Sequence, residues 1–272
     1  MARTLLAIES STDWLSLALL SDEEVIAFEV FEQSRQHASA LLPGIDALLT
    51  RTDVGLDDLD AIGIATGPGS FTGLRIGLAT VKGLALGREI SAIGVSTLEA
   101  MAFSILEGAE LEGAKEIENA SVGIQAEGVH EVVALLDARR DEWYAGGWSR
   151  AEEPGGLPIE ALPEGLYSAA KLIEGCASGV WMTTPDTQSW RRTCEEAGRP
   201  PGFIVQGKRA RPRADAVGRL AARRLSLGQG IAVSDLEARY VRRAEAEAKR
   251  LGAPVETGEV AHLDSESPSE EA

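Results

Sequence analysis

Residues 67–77 read Gly67-Pro68-Gly69-Ser70-Phe71-Thr72-Gly73-Leu74-Arg75-Ile76-Gly77 and follow the apolar run Ala61-Ile62-Gly63-Ile64-Ala65. An apolar run, a Gly-Pro turn and small residues at helical spacing predict a buried strand, a tight turn and a helix. Unpaired N–H groups at a helix start attract anions, so a phosphate-binding loop is one interpretation. The Walker and dinucleotide patterns do not fit, because Lys82 lies ten residues beyond Thr72 and the third glycine is misplaced. The other interpretation is a turn whose glycines allow close packing.

The glycines of this stretch recur every four residues, at Gly69, Gly73 and Gly77. This spacing places them on one helical face that lacks side chains, where another backbone can approach closely. An interior glycine costs a helix about 1 kcal/mol relative to alanine, so a contact that needs the space is expected. That contact is either internal or with a partner.

Composition and length indicate a protein with a substantial core. The chain has 272 residues, 44% of them hydrophobic, enough for one large domain or two lobes. No apolar run approaches the length of a membrane span, and residues 1–4 lead directly into a strand-like segment. We therefore expect a cytoplasmic protein with no membrane partner.

The net charge of −17 is unevenly distributed along the chain. Residues 251–272 hold six acidic and no basic residues, which predicts a disordered acidic tail. Residues 207–250 hold twelve basic and five acidic residues. This basic segment is interpreted either as a solvated face or as a surface for phosphates or an acidic partner. Its candidate residues are Lys208, Arg209, Arg211, Arg213, Arg219, Arg223 and Arg224.

Hydrophobic periodicity predicts a mixed α/β architecture. Three strand-like runs with short turns open the chain, and a helix with an apolar stripe covers residues 36–49. A strand, a helix, a second strand and a helix from Thr97 follow, and this alternation favours an α/β sheet. We expect a five-stranded first lobe over residues 1–103 and a second lobe over 104–225, with an acidic insertion at 107–128. Residues 226–250 are expected to pack back on the first lobe.

Three motifs together resemble the TsaB (YeaZ) family. They are Ile8-Glu9-Ser10-Ser11-Thr12, the loop at residues 67–77, and Asp137-Ala138-Arg139-Arg140 with Tyr240-Val241-Arg242. The resemblance implies a bacterial partner subunit in making threonylcarbamoyladenosine beside the tRNA anticodon. It also implies the two-lobed fold of actin, sugar kinases and heat-shock chaperone ATPases. The family-motif residues of unassigned role are Glu9, Ser11, Gly67, Gly69, Ser70, Asp137 and Arg139.

The resemblance implies no cofactor for this chain. In that fold an Asp and a Gly of the opening hairpin grip nucleotide phosphate, and Glu9 and Ser11 stand in their place. The longer acid and the missing glycine speak against nucleotide binding. The catalytic paralogue, TsaD, binds a metal through two histidines four residues apart, and the matching positions here are Thr97 and Met101. Neither replaces an imidazole ligand, so no metal is expected.

Instead, Ser96-Thr97-Leu98-Glu99 has the pattern of a capping box, in which Ser96 and Glu99 each hydrogen-bond the other's backbone. The chain has three histidines, and no Gly-x-Ser-x-Gly nucleophile elbow accompanies them. His37 resembles a family position on the partner-facing helix. No catalytic residue is therefore predicted.

Two hypotheses for the function follow. The first is a non-catalytic subunit that binds and activates a TsaD-like transferase, beside a TsaE-like ATPase, with tRNA contact through the complex. The second is an independent kinase-fold or metalloprotease-like enzyme. For the first, we expect a helical patch that also forms a homodimer when the chain is alone. Its predicted residues are His37, Leu41, Leu42, Ile45, Gly73, Arg75 and Gly77.

Overall fold

The computed structural model contains two six-stranded mixed sheets. It describes residues 2–31, 37–107, 117–118, 129–175, 180–199, 203–205 and 207–240. Within these ranges, no helix is long and apolar enough to cross a bilayer.

The first sheet has the strand order β12-β5-β4-β1-β2-β3. Its first three strands form an antiparallel meander, and β4 and β5 continue the sheet in parallel with β1. β1 and β2 are buried on both faces, which explains their almost continuous apolar sequences. The strands are β1 (Thr4–Glu9), β2 (Leu15–Ser21), β3 (Glu24–Phe31), β4 (Ala61–Gly67), β5 (Ser91–Ser96) and β12 (Ile231–Ala232). The five strands predicted from the sequence are thus joined by a sixth edge strand from far along the chain.

Helices cover both faces of this sheet. One face carries the apolar sides of α1 (His37–Thr52) and α2 (Phe71–Leu84). The other carries α6 (Ala214–Ser226), which packs on β1, β2 and β4. Ser70 is the N-cap of α2, because its hydroxyl accepts a hydrogen bond from the Gly73 N–H.

Five strands of the second sheet repeat the connectivity of five strands in the first. The order of the second sheet is β6-β11-β10-β7-β8-β9, again an antiparallel meander continued by two parallel strands. No repeat is visible in the sequence, because β10 and β11 have only three residues each. The strands are β6 (Ile117–Glu118), β7 (Glu131–Arg139), β8 (Glu142–Ser149), β9 (Ile159–Ser168), β10 (Trp181–Thr183) and β11 (Phe203–Val205). The helices α4 (Ala169–Gly175) and α5 (Thr187–Glu196) bury Leu172, Trp190 and Cys194 against it.

The helix α3 (Thr97–Leu106) lies between the two sheets and contacts strands of both. Its residues Leu98 and Met101 pack on the second sheet, whereas Ala100 and Phe103 pack toward α6 and the first sheet. These contacts correct the sequence-based division. The boundary at residue 103 falls inside α3, and α6, which was assigned to the second lobe, packs on the first sheet instead.

Most of the predicted insertion and the whole predicted tail lie outside the described residues. From the insertion, Glu107 and the backbone of β6 are described, and β6 pairs antiparallel with β11. Residues 226–240 lie against the first sheet, since β12 pairs with β5 and Leu236 is buried in the core beneath α2. Residues 241–250 are outside the described part.

Candidate functional site

The glycine loop at residues 67–77 is locked against the turn between β1 and β2. The Ser70 N–H donates to the Ser11 carbonyl oxygen at 2.5 Å. A Cβ at Gly69 would lie 2.1 Å from the Ser11 carbonyl oxygen, and one at Gly73 would lie 2.1 Å from that of Ser10. At Gly77 a Cβ would meet the Ser10 hydroxyl at 2.4 Å. The glycine face of α2 therefore receives the protein's own hairpin turn.

The buried Glu9 carboxylate stabilises this turn through hydrogen bonds from Ser11. Its Oε1 accepts hydrogen bonds from the Ser11 N–H at 2.6 Å and the Ser11 hydroxyl at 2.5 Å. Burial raises the pKa of the Glu9 carboxyl to about 7, and the two bonds from Ser11 only partly oppose that rise. The amide and hydroxyl that a phosphate would need are thus already engaged by Glu9, and the Ser70 amide by Ser11.

A cleft of about 560 Å³ separates the two sheets and brings the family motifs together. Five of the seven motif residues line it, and Glu9 and Gly67 lie outside its lining. The lining residues are Ser11, Thr12, Asp13, Trp14, Gly69, Ser70, Leu136, Asp137, Ala138, Arg139, Tyr144, Pro185 and Asp186.

The second sheet contributes the tip of the β7–β8 hairpin to this cleft. Asp137 Oδ1 accepts from the Arg139 N–H at 2.7 Å, and Asp137 also lies 3.7 Å from the Arg139 guanidinium. Arg139, Arg140 and Asp141 all have positive φ, between 58° and 68°. Such backbone is costly for residues with a Cβ and is stabilised here by the Asp137 side chain. The hairpin therefore holds the Arg139 side chain, which is 86% exposed, at the mouth of the cleft.

The start of α3 fulfils only half of the predicted capping box. The Ser96 hydroxyl accepts from the N–H groups of Leu98 and Glu99 at 3.2 and 3.3 Å, as predicted. The Glu99 carboxylate instead receives two hydrogen bonds from Arg224 of α6, at 2.7 and 2.6 Å. This ion pair ties α3 to α6, and a partner so distant in sequence could not be read from the local pattern.

Thr97 and Met101 are fully buried, with 0% of each exposed. Met101 belongs to the apolar cluster between α3 and the second sheet. The thioether and hydroxyl at these positions are thus core groups. In the described part of the chain, no three His, Cys, Asp or Glu side chains are grouped in a way that could hold a metal ion.

Five of the seven residues predicted for the partner patch on α1 and α2 are buried in the isolated chain. Leu41 and Ile45 face the core, with 1% and 2% exposed. Gly73 and Gly77 receive the Ser10 turn, so no partner helix can cross there. Glycine spacing indicates that another backbone approaches closely, but it does not indicate which one, and here it is the protein's own turn. His37 is also buried, with 8% exposed.

The exposed members of that patch are Leu42 and Arg75. Leu42, 53% exposed, borders a groove of about 810 Å³ between α1, the 53–58 loop and Leu84. The Arg75 guanidinium lies 3.7 Å from the Phe71 ring centroid, and its Nε donates to the Tyr240 hydroxyl at 3.1 Å.

The C-terminal segment closes over the glycine loop, a role that the weak Tyr240-Val241-Arg242 motif did not reveal. The Arg239 N–H donates to Thr66 at 2.8 Å, and the Arg239 carbonyl covers Gly67. The Arg239 side chain pairs with Glu164 of β9 at 3.1 Å and so connects the two sheets. Burial raises the pKa of the Glu164 carboxyl to about 6, against the opposing effect of Arg239.

Comparison with known proteins identifies the family. Residues 26–115 match the family model described as TsaD, tRNA N6-adenosine threonylcarbamoyltransferase. The tRNA threonylcarbamoyladenosine biosynthesis protein TsaB of Escherichia coli is 33% identical over 245 residues, covering 88% of this chain and 94% of that protein. The TsaB of Bacillus subtilis is 29% identical over 90% of this chain and 97% of its own length.

A solved structure described as YeaZ from Pseudomonas aeruginosa matches with a TM-score of 0.65 and 26% identity, covering 88% of this chain and 99% of that one. This match, with the two mixed sheets, confirms the two-lobed α/β fold that the sequence implied. The glycine loop packs on the opening hairpin, and residues from all three sequence motifs line the cleft. Together with this degree of identity, these features show that the chain belongs to the TsaB (YeaZ) family of tRNA threonylcarbamoyladenosine biosynthesis proteins.

Proposed function

We propose that the protein is a non-catalytic subunit that binds and activates a TsaD-type threonylcarbamoyl transferase. The observation that carries this proposal is the start of α3. The positions that resemble the metal ligands of the catalytic paralogue hold Thr97 and Met101, and both side chains are fully buried. A buried thioether in an apolar cluster supplies packing and offers no ligand for a hard or borderline metal.

The surface that we propose for the transferase is the outer face of α1, with Leu42 at its centre. This replaces the glycine face of α2. Leu42 stands beside a groove whose walls combine apolar and acidic groups, and Leu86 beyond the end of α2 is 81% exposed. A protruding leucine next to a groove has the form of an interface anchor. Because the TsaD family model covers α1 and α2 of this chain, the two subunits share this architecture, and we propose that they pair through like surfaces.

The same surface would form the homodimer when the chain is alone, since like surfaces pair isologously. We include a TsaE-like ATPase as a third member of the assembly. Nucleotide binding is not part of the proposal, because the Ser11 and Ser70 amides are already hydrogen-bonded within the protein.

The test is Leu42→Asp, measured by titration against the transferase subunit of the same organism. We expect at least ten-fold weaker binding, about 1.4 kcal/mol, because an exposed apolar anchor is replaced by a charge. The melting temperature should not change, since Leu42 is exposed in the isolated chain. Leu227→Asp is the matched control, because Leu227 is 62% exposed and lies beyond the end of α6.

Activation is measured in the same system as threonylcarbamoyl transfer to an unmodified tRNA transcript. The transferase should be faster with the wild-type chain, and the chain alone should transfer nothing. Equal loss of binding in both variants would contradict the assigned surface. Transfer by the chain alone, or strong thermal stabilisation by ATP, ADP, zinc or iron, would instead favour the independent-enzyme hypothesis.

A further inference from the structure

An aromatic and basic patch adjoins the cleft on the side of β2 and β3. It consists of Trp14, Phe28, Lys208, Arg211 and Arg213, and it is called the basic patch below. The Arg211 guanidinium lies 4.2 Å from the Trp14 ring centroid, and that of Arg213 lies 4.7 Å from the Phe28 ring centroid. Between them is a pocket of about 150 Å³. Its lining is completed by Ser16, Val30 and Pro212.

The patch is open to solvent and continuous with the cleft. Lys208 is exposed, Val30 is 40% exposed, and Trp14 is half-buried. Trp14 lines both the pocket and the cleft, so a ligand could extend from one to the other.

Not every arginine of the basic segment belongs to this surface. Arg223 is 7% exposed and pairs with Glu23 and Glu107, and Arg224 pairs with Glu99. These two arginines hold α6 to its neighbours. Arg213 forms two hydrogen bonds with Asp215, at 2.9 and 2.8 Å, so its charge is shared within the protein. The basic segment thus has two parts. Arg223 and Arg224 form internal ion pairs, whereas Arg211 and Arg213 lie against aromatic rings at the surface.

We propose that the basic patch binds an unpaired segment of RNA, with a base on the Trp14 side of the pocket and neighbouring phosphates at Lys208 and Arg211. Aromatic rings and guanidinium planes stack on exposed bases, and lysine meets the backbone charge. A base inside a duplex does not offer its face, so the ligand is single-stranded.

The charge of the rest of the molecule supports a localised contact. With a net charge of −17, most of the surface repels a polyanion, so binding depends on the few places where cations gather. The identity of the RNA as the tRNA substrate rests on the proposed function, whereas the stacking chemistry does not.

The experiment measures binding of an unmodified tRNA transcript, first to the chain mixed with its transferase and then to the chain alone. Sizing establishes beforehand whether the two proteins form a complex. The variants are Trp14→Leu, which removes the ring and keeps an apolar side chain, and Lys208→Gln. The control is Arg192→Gln, because Arg192 is 75% exposed on α5 of the second lobe and its loss removes the same charge.

Trp14→Leu should weaken RNA binding by about ten-fold, equivalent to about 1.4 kcal/mol. Lys208→Gln should lower the slope of log affinity against log salt by about 0.7, the value for one phosphate contact to a single strand. Arg192→Gln should change neither quantity, and no variant should change transferase binding.

Unchanged RNA affinity of Trp14→Leu in an intact complex would overturn this inference and leave the proposed function standing. If no complex forms, the proposed function fails, and the chain alone decides the inference by the same comparison. Equal binding of a fully paired RNA, or displacement of the transcript by ATP near its cellular concentration, would also overturn it. In the latter case the pocket takes a free nucleotide.

Discussion

Among single residues, the α2 glycines give the sharpest contrast. A methyl group at Gly73 would lie 2.1 Å from the Ser10 carbonyl oxygen, whereas one at Gly83 would meet nothing within 4 Å. Backbone cannot move aside as a flexible side chain can, so Gly73→Ala should destabilise the protein by about 2 kcal/mol or more. Gly83→Ala should stabilise it by about 0.5–1 kcal/mol through helix propensity. Chemical denaturation of both variants checks the pair, and equal effects would show that α2 does not pack on the hairpin turn.

Glu9 makes the stability of the protein depend on pH. Its pKa rises from 4.5 to about 7 on folding, so the native state binds the additional proton between these values. Stability should therefore fall as pH rises through this window and level off above it. At about pH 8, Glu9→Gln should be more stable than wild type by about 2–3 kcal/mol, because the uncharged amide avoids the burial cost.

The pH dependence of Glu9→Gln serves as its own control. In this variant, the remaining fall in stability with rising pH should end near pH 6, because burial raises the pKa of Glu164 to about 6. Unfolding curves at a series of pH values measure both slopes. A wild-type protein that is equally stable at about pH 5 and pH 8 would show that Glu9 does not carry this linkage.

At the scale of the element, the end of α1 carries a residue in a backbone conformation that favours glycine. Asp53 has a φ of 56°, and the Val54 N–H reaches back to the Leu49 carbonyl at 3.1 Å. Asp53→Gly should stabilise the protein by about 0.5–1 kcal/mol. The same substitution at Asp46, exposed within α1, should cost about 0.3 kcal/mol, the difference in helix propensity between aspartate and glycine. Thermal unfolding of the two variants compares them, and shifts of the same sign would contradict the left-handed helix end.

The elements of the first lobe were predictable where the pattern was long. β1 to β5, α1 and α2 combine strong periodicity with clear turn residues, and Ser96 marked the start of α3. The strands β10, β11 and β12 were not predictable, because two or three residues cannot show a period. The motif residues of the cleft and the residues of the basic segment were found from the sequence. The contact between Arg211 and Trp14 was not, since the two residues meet only through the fold.

The side from which the α2 glycines are approached could not be predicted either. Their spacing required a close contact, and the pairing of β1 with β4 then decided that the contact is the protein's own turn. Likewise, the capping-box position of Glu99 predicted a hydrogen bond to the Ser96 backbone. The Glu99 carboxylate is bound instead by Arg224, 125 residues away in the chain. Local patterns thus located the important residues and left their partners to the topology.

In the whole molecule, the two sheets share the connectivity of five strands and are joined through α3 and through the pair of Arg239 with Glu164. The first sheet is completed by parts that come late in the chain, namely α6 on one face and β12 at one edge. A ribosome releases the meander of this sheet early, yet the helix that covers it leaves only after the whole second sheet has been synthesised. The lobe whose synthesis begins first is therefore completed late. Its apolar face stays uncovered and accessible to chaperones while more than a hundred further residues are synthesised.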